Sequence, residues 1–231
     1  MARTGDTRSR SRGAKVRVKT ARRRSASSAR WLERQLNDPY VAEARRLGYR
    51  SRAAFKLAEL DDRFGFLKGA GRILDLGAAP GGWVQVARMR AGPDARIVAV
   101  DLLPVEPVGG AEILELDFMA DDAPERIRAA LGGAADVVLS DMAAPATGHK
   151  QTDHLRTMAL LEAAYDFALE VLAPGGAFVA KVLRGGTEAE LLGAMKQHFE
   201  TVRHVKPPAS RKESTELYVV ATGFRPELSK S

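Results

Sequence analysis

The sequence contains no cysteine. That absence removes disulfides, thiolate-ligated zinc and every thiolate nucleophile, and with them the enzymes that methylate a pyrimidine carbon through a cysteine adduct. Aromatic residues are scarce at 6%, so a core has to be built mainly from Ala, Val, Leu and Ile. No apolar run approaches the roughly 18 residues of a membrane span, and the N-terminal stretch shows no apolar signal-peptide core. Acidic residues are nearly missing from the first 30 positions, where one Asp stands against nine Arg and two Lys, a net of +10. The other 201 residues hold 25 basic and 28 acidic side chains, a net of −3. The overall charge of +7 and the pI of 9.9 therefore report a tail, not a basic domain.

The 231 residues, 45% of them hydrophobic, suit one globular domain. The Arg- and Ser-rich start has no Leu, Ile, Phe or Trp and cannot bury a core, so residues 1–24 are expected to be a disordered basic tail. Its composition fits an arm for nucleic acid. A solubilising tail and a transit peptide share that composition, although a transit peptide would show an apolar helical face. Residues 25–225 are expected to form the folded domain, and 226–231 a short C-terminal tail.

Along the domain, Arg30–Tyr49 reads as helical with a break at Asp38-Pro39. Ser51 is placed to cap a helix over Arg52–Phe64, with Ala54, Phe55, Ala58 and Leu60 at helical spacing. Strands are predicted at Arg72–Leu76, Arg96–Val100, Glu112–Leu116, Asp136–Ser140 and Ala177–Leu183. Helices are predicted at Gly81–Arg90, Asp122–Leu131, Asp153–Leu172 (stopped by Pro174-Gly175-Gly176) and Glu188–Phe199. Two final strands, Val202–Lys206 and Glu216–Thr222, have no helix between them and must pair antiparallel. The pattern predicts an α/β, Rossmann-like, doubly wound sheet, mainly parallel, with one antiparallel strand near the C-terminus and at the end of the sheet.

Sheets of this kind bind ligands beyond the carboxyl ends of their strands. Asp75, Asp101, Asp117, Asp141 and Lys181 all fall at or near such ends. One alone could be a turn residue; five at one edge point to a site. The loop Asp75-Leu-Gly-Ala-Ala-Pro-Gly-Gly-Trp83 resembles a dinucleotide fingerprint, but Ala79 replaces the glycine that lets backbone approach a pyrophosphate, and Pro80 removes a backbone donor. That disfavours NAD and favours a nucleoside without phosphates. Asp101, 24 residues beyond Gly77, stands where an acid accepts from ribose hydroxyls. Asp117 is placed to accept from an adenine amine. A ribose, an adenine and a cationic sulfonium together describe S-adenosylmethionine. In Ser140-Asp141-Met-Ala-Ala-Pro145 there is no aromatic to stack a base amine, and carbon methylation is already excluded, so an oxygen acceptor is favoured.

These residues carry a resemblance. The stretches SASSARWL (25–32), YRSRAAFKL (49–57), DLGAAPGGW (75–83), DLLP (101–104), LSDMAAP (139–145), LAPGGAFVAKV (172–182) and STELYVVATG (214–223) resemble the FtsJ/RrmJ family of ribosomal RNA 2′-O-methyltransferases, from about residue 25 to 224. The resemblance implies an S-adenosylmethionine-dependent methyltransferase domain and a Lys-Asp-Lys-Glu tetrad on Lys56, Asp141, Lys181 and Glu216, with Lys181 as proton acceptor. Glu216 is preferred to Glu213 because the family's Glu directly precedes an apolar-Tyr pair, here Leu217-Tyr218. The family's cofactor contacts fall on Gly81, Trp83, Asp101, Asp117 and Asp141. Ala143-Ala144-Pro145 departs from the Ala-Pro-Asn frequent in bacterial members, a change that would alter how the target nucleotide is held.

No metal is implied, and His149 and His154 read as loop and helix-start residues. The implied reaction is 2′-O-methylation of a uridine ribose in large-subunit (23S) ribosomal RNA, on the assembled or assembling 50S subunit, by a cytoplasmic monomer with no membrane partner. Candidate RNA contacts are Arg50, Arg52, Lys150, Arg184, Arg211 and Lys212. The alternatives are a 2′-O-methyltransferase of transfer RNA anticodon loops, a non-catalytic RNA-binding ribosome assembly factor, and a nicotinamide oxidoreductase. The intact tetrad opposes the assembly factor, and Ala79 and Pro80 oppose the oxidoreductase.

Overall fold

The computed structural model describes residues 26–145, 147–184 and 188–226. The basic tail predicted at 1–24 lies outside them, as do residues 227–231 of the predicted C-terminal tail. Among the described residues, seven helices and seven strands follow in the order α1 (Ala26–Leu36), α2 (Pro39–Leu47), α3 (Ala53–Phe64), β1 (Arg72–Leu76), α4 (Gly82–Ala91), β2 (Arg96–Asp101), β3 (Ala111–Glu115), α5 (Ala123–Leu131), β4 (Ala135–Ser140), α6 (Lys150–Val171), β5 (Leu172–Leu183), α7 (Glu188–His198), β6 (Phe199–Val205) and β7 (Glu216–Phe224). None of the described helices is long and apolar enough to cross a membrane.

The strands form one sheet in the order β3-β2-β1-β4-β5-β7-β6. The first five pair in parallel, and β7 runs antiparallel to both β5 and β6. The reversed strand is therefore not at the end of the sheet, as the sequence suggested, but one place in, with β6 at the edge. The short β6–β7 connection forces an antiparallel pair; which of the two then inserts beside β5 is decided by packing. β7 is the more apolar strand, with none of its residues exposed, whereas β6 exposes Glu200, Arg203 and His204. Inserting β7 brings its first residue, Glu216, opposite Leu183 at the carboxyl end of β5.

Period-two alternation divides the core. Leu74, Leu76 and Val138 face one side, with α5, α6 and α7, while Ile73, Val137 and Leu139 face the other, with α3 and α4. Among the largest fully buried side chains only Tyr218, Phe178 and Phe199 are aromatic, which bears out the aliphatic core.

Several details differ from the sequence reading. The first helix starts at Ala26, four residues early, on Ala and Ser residues without an apolar period. The long helix α6 ends at Val171, and β5 already begins at Leu172, paired with Ala135; the next pair is Val137 with Ala177, so Pro174-Gly175-Gly176 is a bulge within the strand rather than a loop before it. On α3 the buried stripe is Ala54, Leu57, Leu60 and Asp61, not the one through Phe55 and Ala58. Phe55 instead meets the rings of Tyr40 and Tyr49, because α2 covers that flank. Ser51 does receive the Ala53 N–H, at 3.2 Å, although Arg52 occupies the N-cap position.

Candidate active site

Two cavities open at the carboxyl edge of the sheet, one on each side of the β4 end. The first, of about 500 Å³, is lined mainly by apolar groups, among them Leu102, Leu103, Leu116, Phe118, Met119 and Met142, with the carboxylates of Asp101 and Asp141. That volume suits a nucleoside-sized ligand. The second, about 380 Å³, is lined by Arg34, Gln35, Arg52, Lys56, Arg211, Glu213, Ser214 and Glu216.

Gly77 shapes the first cavity. Its φ is 78°, and a Cβ there would lie 2.7–2.9 Å from Met142 atoms, backbone included; only glycine lets the β1 and β4 loops approach this closely. Asp101 fastens the loop: one carboxylate oxygen accepts from the Ala79 N–H at 2.8 Å and the other from the Leu103 N–H at 2.8 Å. A carboxylate has about four acceptor positions, which leaves two for a ribose diol.

The other predicted cofactor residues are placed differently. Asp117 is exposed at the rim and accepts from the Met119 N–H at 2.9 Å; its neighbours Leu116, Phe118 and Met119 line the cavity, and it does not. Trp83 is buried beneath α3, donating Nε1–H to the Ala53 carbonyl at 2.8 Å. Gly81 is favoured for another reason: its φ of 104° is a backbone conformation that strains any L side chain.

The tetrad assembles as two ion pairs. Lys56 on α3 meets Glu216 at the start of β7 at 2.6 Å. Lys181 on β5 meets Asp141 after β4 at 2.9 Å and also donates to the carbonyls of Asp141 at 2.5 Å and Met142 at 3.3 Å. The structure thus brings together all four residues, and the glutamate paired with Lys56 is Glu216, while Glu213 is exposed at the rim of the same cavity. Ser210 adds a hydroxyl donor to Glu216 at 3.0 Å.

Between the pairs lies Tyr218, which the sequence reading used only as a register mark. Its hydroxyl accepts from Lys56 Nζ at 3.0 Å and donates to Asp141 Oδ1 at 2.7 Å. Period two puts Tyr218 on the face of Glu216, a signal the sequence offered; its place opposite Lys181 comes from the pairing of β7 with β5, which the sequence did not offer.

Burial works on the three buried acids differently. Burial would raise Asp141, but the charges of Lys181 and Lys56 and the hydrogen bonds from Lys181 and Tyr218 outweigh it and hold its carboxyl below the usual range. Tyr218 is pushed well up by burial and by the negative charges of Asp141 and Glu216, so it remains a neutral phenol. Asp75 is fully buried, with no hydrogen-bond partner on either oxygen among the described residues, and burial plus the charges of Asp141 and Asp101 push it well above the carboxylate range.

Three of the candidate RNA contacts are occupied inside the molecule. Arg50 donates to the carbonyls of Pro80, Glu106 and Pro107. Arg52 joins Asp38 at 2.5 Å and the Ala209 carbonyl, and Arg211 reaches Asp38 at 3.3 Å. Arg184 and Lys212 are exposed, and Lys150 opens α6. No cluster of metal-ligating side chains occurs among the described residues.

Comparison with known proteins agrees with this geometry. Residues 49–224 match the model of the FtsJ-like methyltransferase family. The chain is 66% identical over 209 residues to ribosomal RNA large subunit methyltransferase E of Novosphingobium aromaticivorans, covering 90% of this chain and 94% of that one. To the protein of the same name from Parvibaculum lavamentivorans it is 64% identical over 224 residues, covering 93% and 88%. A crystal structure from Plasmodium falciparum, described as a ribosomal RNA methyltransferase, superposes with a TM-score of 0.68 at 30% identity, covering 76% of this chain and 98% of that one. The chain belongs to the FtsJ-like methyltransferase family.

Proposed function

We propose that this protein transfers a methyl group from S-adenosylmethionine to the 2′-hydroxyl of a uridine in large-subunit (23S) ribosomal RNA, acting in the cytoplasm as a monomer on the assembled or assembling 50S subunit. The observation that carries the reading is that Asp141 lines the apolar cavity and is paired to Lys181, while Lys56 and Glu216 line the cationic one. The names of the relatives support ribosomal RNA as the substrate.

The apolar cavity fits the cofactor. Leu102, Leu103, Phe118 and Met119 offer apolar surface to a purine, and Asp101 offers acceptors to the ribose. Asp141 and Asp101 make the cavity favourable to a cation. S-adenosylmethionine, when bound, supplies an electrophilic methyl group on a sulfonium.

Lys56 and Glu216 hold the target ribose at the second cavity, with the guanidinium group of Arg34 near its phosphates, while Arg52 and Arg211 line the same cavity held by Asp38. Lys181 takes the 2′-hydroxyl proton. Alignment of the two reactants supplies much of the acceleration, and base catalysis a further factor of about 10²–10⁴. The basic tail adds affinity for phosphates without adding chemistry.

The test is to incubate the purified protein with S-adenosylmethionine and large-subunit RNA or 50S particles that lack the modification. Resistance of the adjoining phosphodiester to alkali then locates the methyl group. One protected position, a uridine, is expected; methyl groups on bases, or on transfer RNA alone, would overturn the reading.

A further inference from the structure

A fully buried phenol in the middle of an apolar strand needs a reason. Tyr218 is flanked by Leu217, Val219 and Val220, all buried, and its ring packs 5.7 Å from that of Trp83. A phenylalanine would fill the same space. The hydroxyl is instead spent on charged groups: it accepts a hydrogen bond from Lys56 and donates one to Asp141. The ring adds to the hold, since the Lys56 ammonium lies 5.5 Å from its centroid. No contact links the two ion pairs of the tetrad as directly. Remove the hydroxyl and Asp141 loses a donor while Lys56 loses an acceptor, so each pair can rotate independently of the other.

We propose that Tyr218 is a positioning residue of the methyl-transfer site, whose hydroxyl locks the Lys56–Glu216 pair to the Asp141–Lys181 pair and so sets the spacing between the groups holding the ribose and the group taking its proton. The proposal rests on the reading of the tetrad as the reaction centre. The hydroxyl acts through those residues and contacts no reactant itself. Charged and titratable groups face it from four directions: Lys56 on α3, Asp141 after β4, Lys181 on β5 and Glu216 on β7. Asp75 at the end of β1 stands behind Asp141.

The experiment compares wild type, Tyr218→Phe and Lys181→Ala in single-turnover methylation of ribosomal RNA across pH, with S-adenosylmethionine affinity and melting temperature measured on the same preparations. Tyr218→Phe keeps the ring and its packing. Its rate at saturating RNA and cofactor is expected to fall about 10- to 100-fold, the loss of hydrogen bonds to charged partners, with cofactor affinity within about twofold. Its pH–rate profile should move to higher pH, because Asp141 loses the Tyr218 hydrogen bond that helps hold its carboxyl below the usual range. A wild-type rate and an unmoved profile, beside an inactive Lys181→Ala, would overturn the role of Tyr218 alone. Low melting together with cofactor binding lost in proportion to rate would also overturn it, making the hydroxyl a support of the fold. A Lys181→Ala protein that still transfers methyl groups would overturn the tetrad reading itself.

Discussion

The two cavities beside Asp141 are neighbours, yet they are built of opposite materials. One is walled by Leu102, Leu103, Leu116, Phe118 and Met119 and carries two carboxylates and one arginine, Arg156; the other carries three arginines, a lysine and two glutamates. The difference matches the two reactants: a flat nucleoside bearing positive charge, and a polyanion. On the proposed reading, the reacting groups meet at the seam. Asp141 belongs to the first cavity by its lining and to the second by its ties, through Tyr218, to Lys56. A methyl donor bound on one side and a hydroxyl held on the other have only this seam in common.

Substitutions that act on one side and spare the other test that division. The largest effect is expected at the seam. Lys181→Ala should lose about 10²–10⁴-fold in single-turnover rate while calorimetry shows cofactor affinity little changed. Lys181→Arg should not restore the rate, because a guanidinium does not give up its proton. A fast Arg variant would remove Lys181 from the base role.

Next comes the apolar side. Asp101→Ala strips the acceptors for a ribose and frees the Ala79 and Leu103 N–H groups. It should weaken S-adenosylmethionine by about 5- to 150-fold and leave RNA affinity alone. Equal losses for both ligands would show that Asp101 holds the fold of the edge and not the cofactor.

On the cationic side the effect is graded. A protein beginning near Ser25 should bind RNA more weakly at low salt, with a log–log salt slope shallower by about 0.7–0.9 for each phosphate that the tail neutralises. Its cofactor affinity and its rate at saturating RNA should not change. Equal slopes for the two proteins would mean that the tail does not touch phosphate.

The smallest effect concerns Asp75, buried beneath the seam. Its folded pKa is raised by burial and by Asp141 and Asp101, so the unfolded chain releases this proton first. Stability then falls as pH rises from the ordinary carboxylate range, about 4, through the raised value. Asp75→Asn removes that loss. It should melt a few degrees higher than wild type near neutral pH, with the gap closing towards about pH 4. A gap that does not change with pH would show that Asp75 is ionised in the folded protein.

Much of this was legible in the sequence, for reasons that separate the residues. Parallel strands deliver their ends to one edge, so Asp75, Asp101, Asp117, Asp141 and Lys181 could be placed there from alternation alone. The four tetrad residues came from resemblance, and the structure brings them into contact. What the chain pattern did not carry was pairing across long separations. The insertion of β7 between β5 and β6 depends on which strand is more apolar on both faces, and Tyr218 gains its importance only from that insertion. Arg50, Arg52 and Arg211 looked like free cations because their partners, the carbonyls of Glu106 and Ala209 and the carboxylate of Asp38, lie far off in sequence. Asp117 stands at the right strand end but outside the cavity lining, since its carboxylate closes its own turn.

The central claim is that the seam delivers a methyl group to a ribose oxygen, and it is tested most directly by removing that oxygen. A ribosomal RNA fragment carrying 2′-deoxyuridine at the mapped position would be offered with S-adenosylmethionine labelled in its methyl group. The account predicts no transfer to this RNA, with binding of the fragment within about twofold of the unmodified one. Label incorporated at the normal rate would contradict it, because the acceptor would then be an atom of the base.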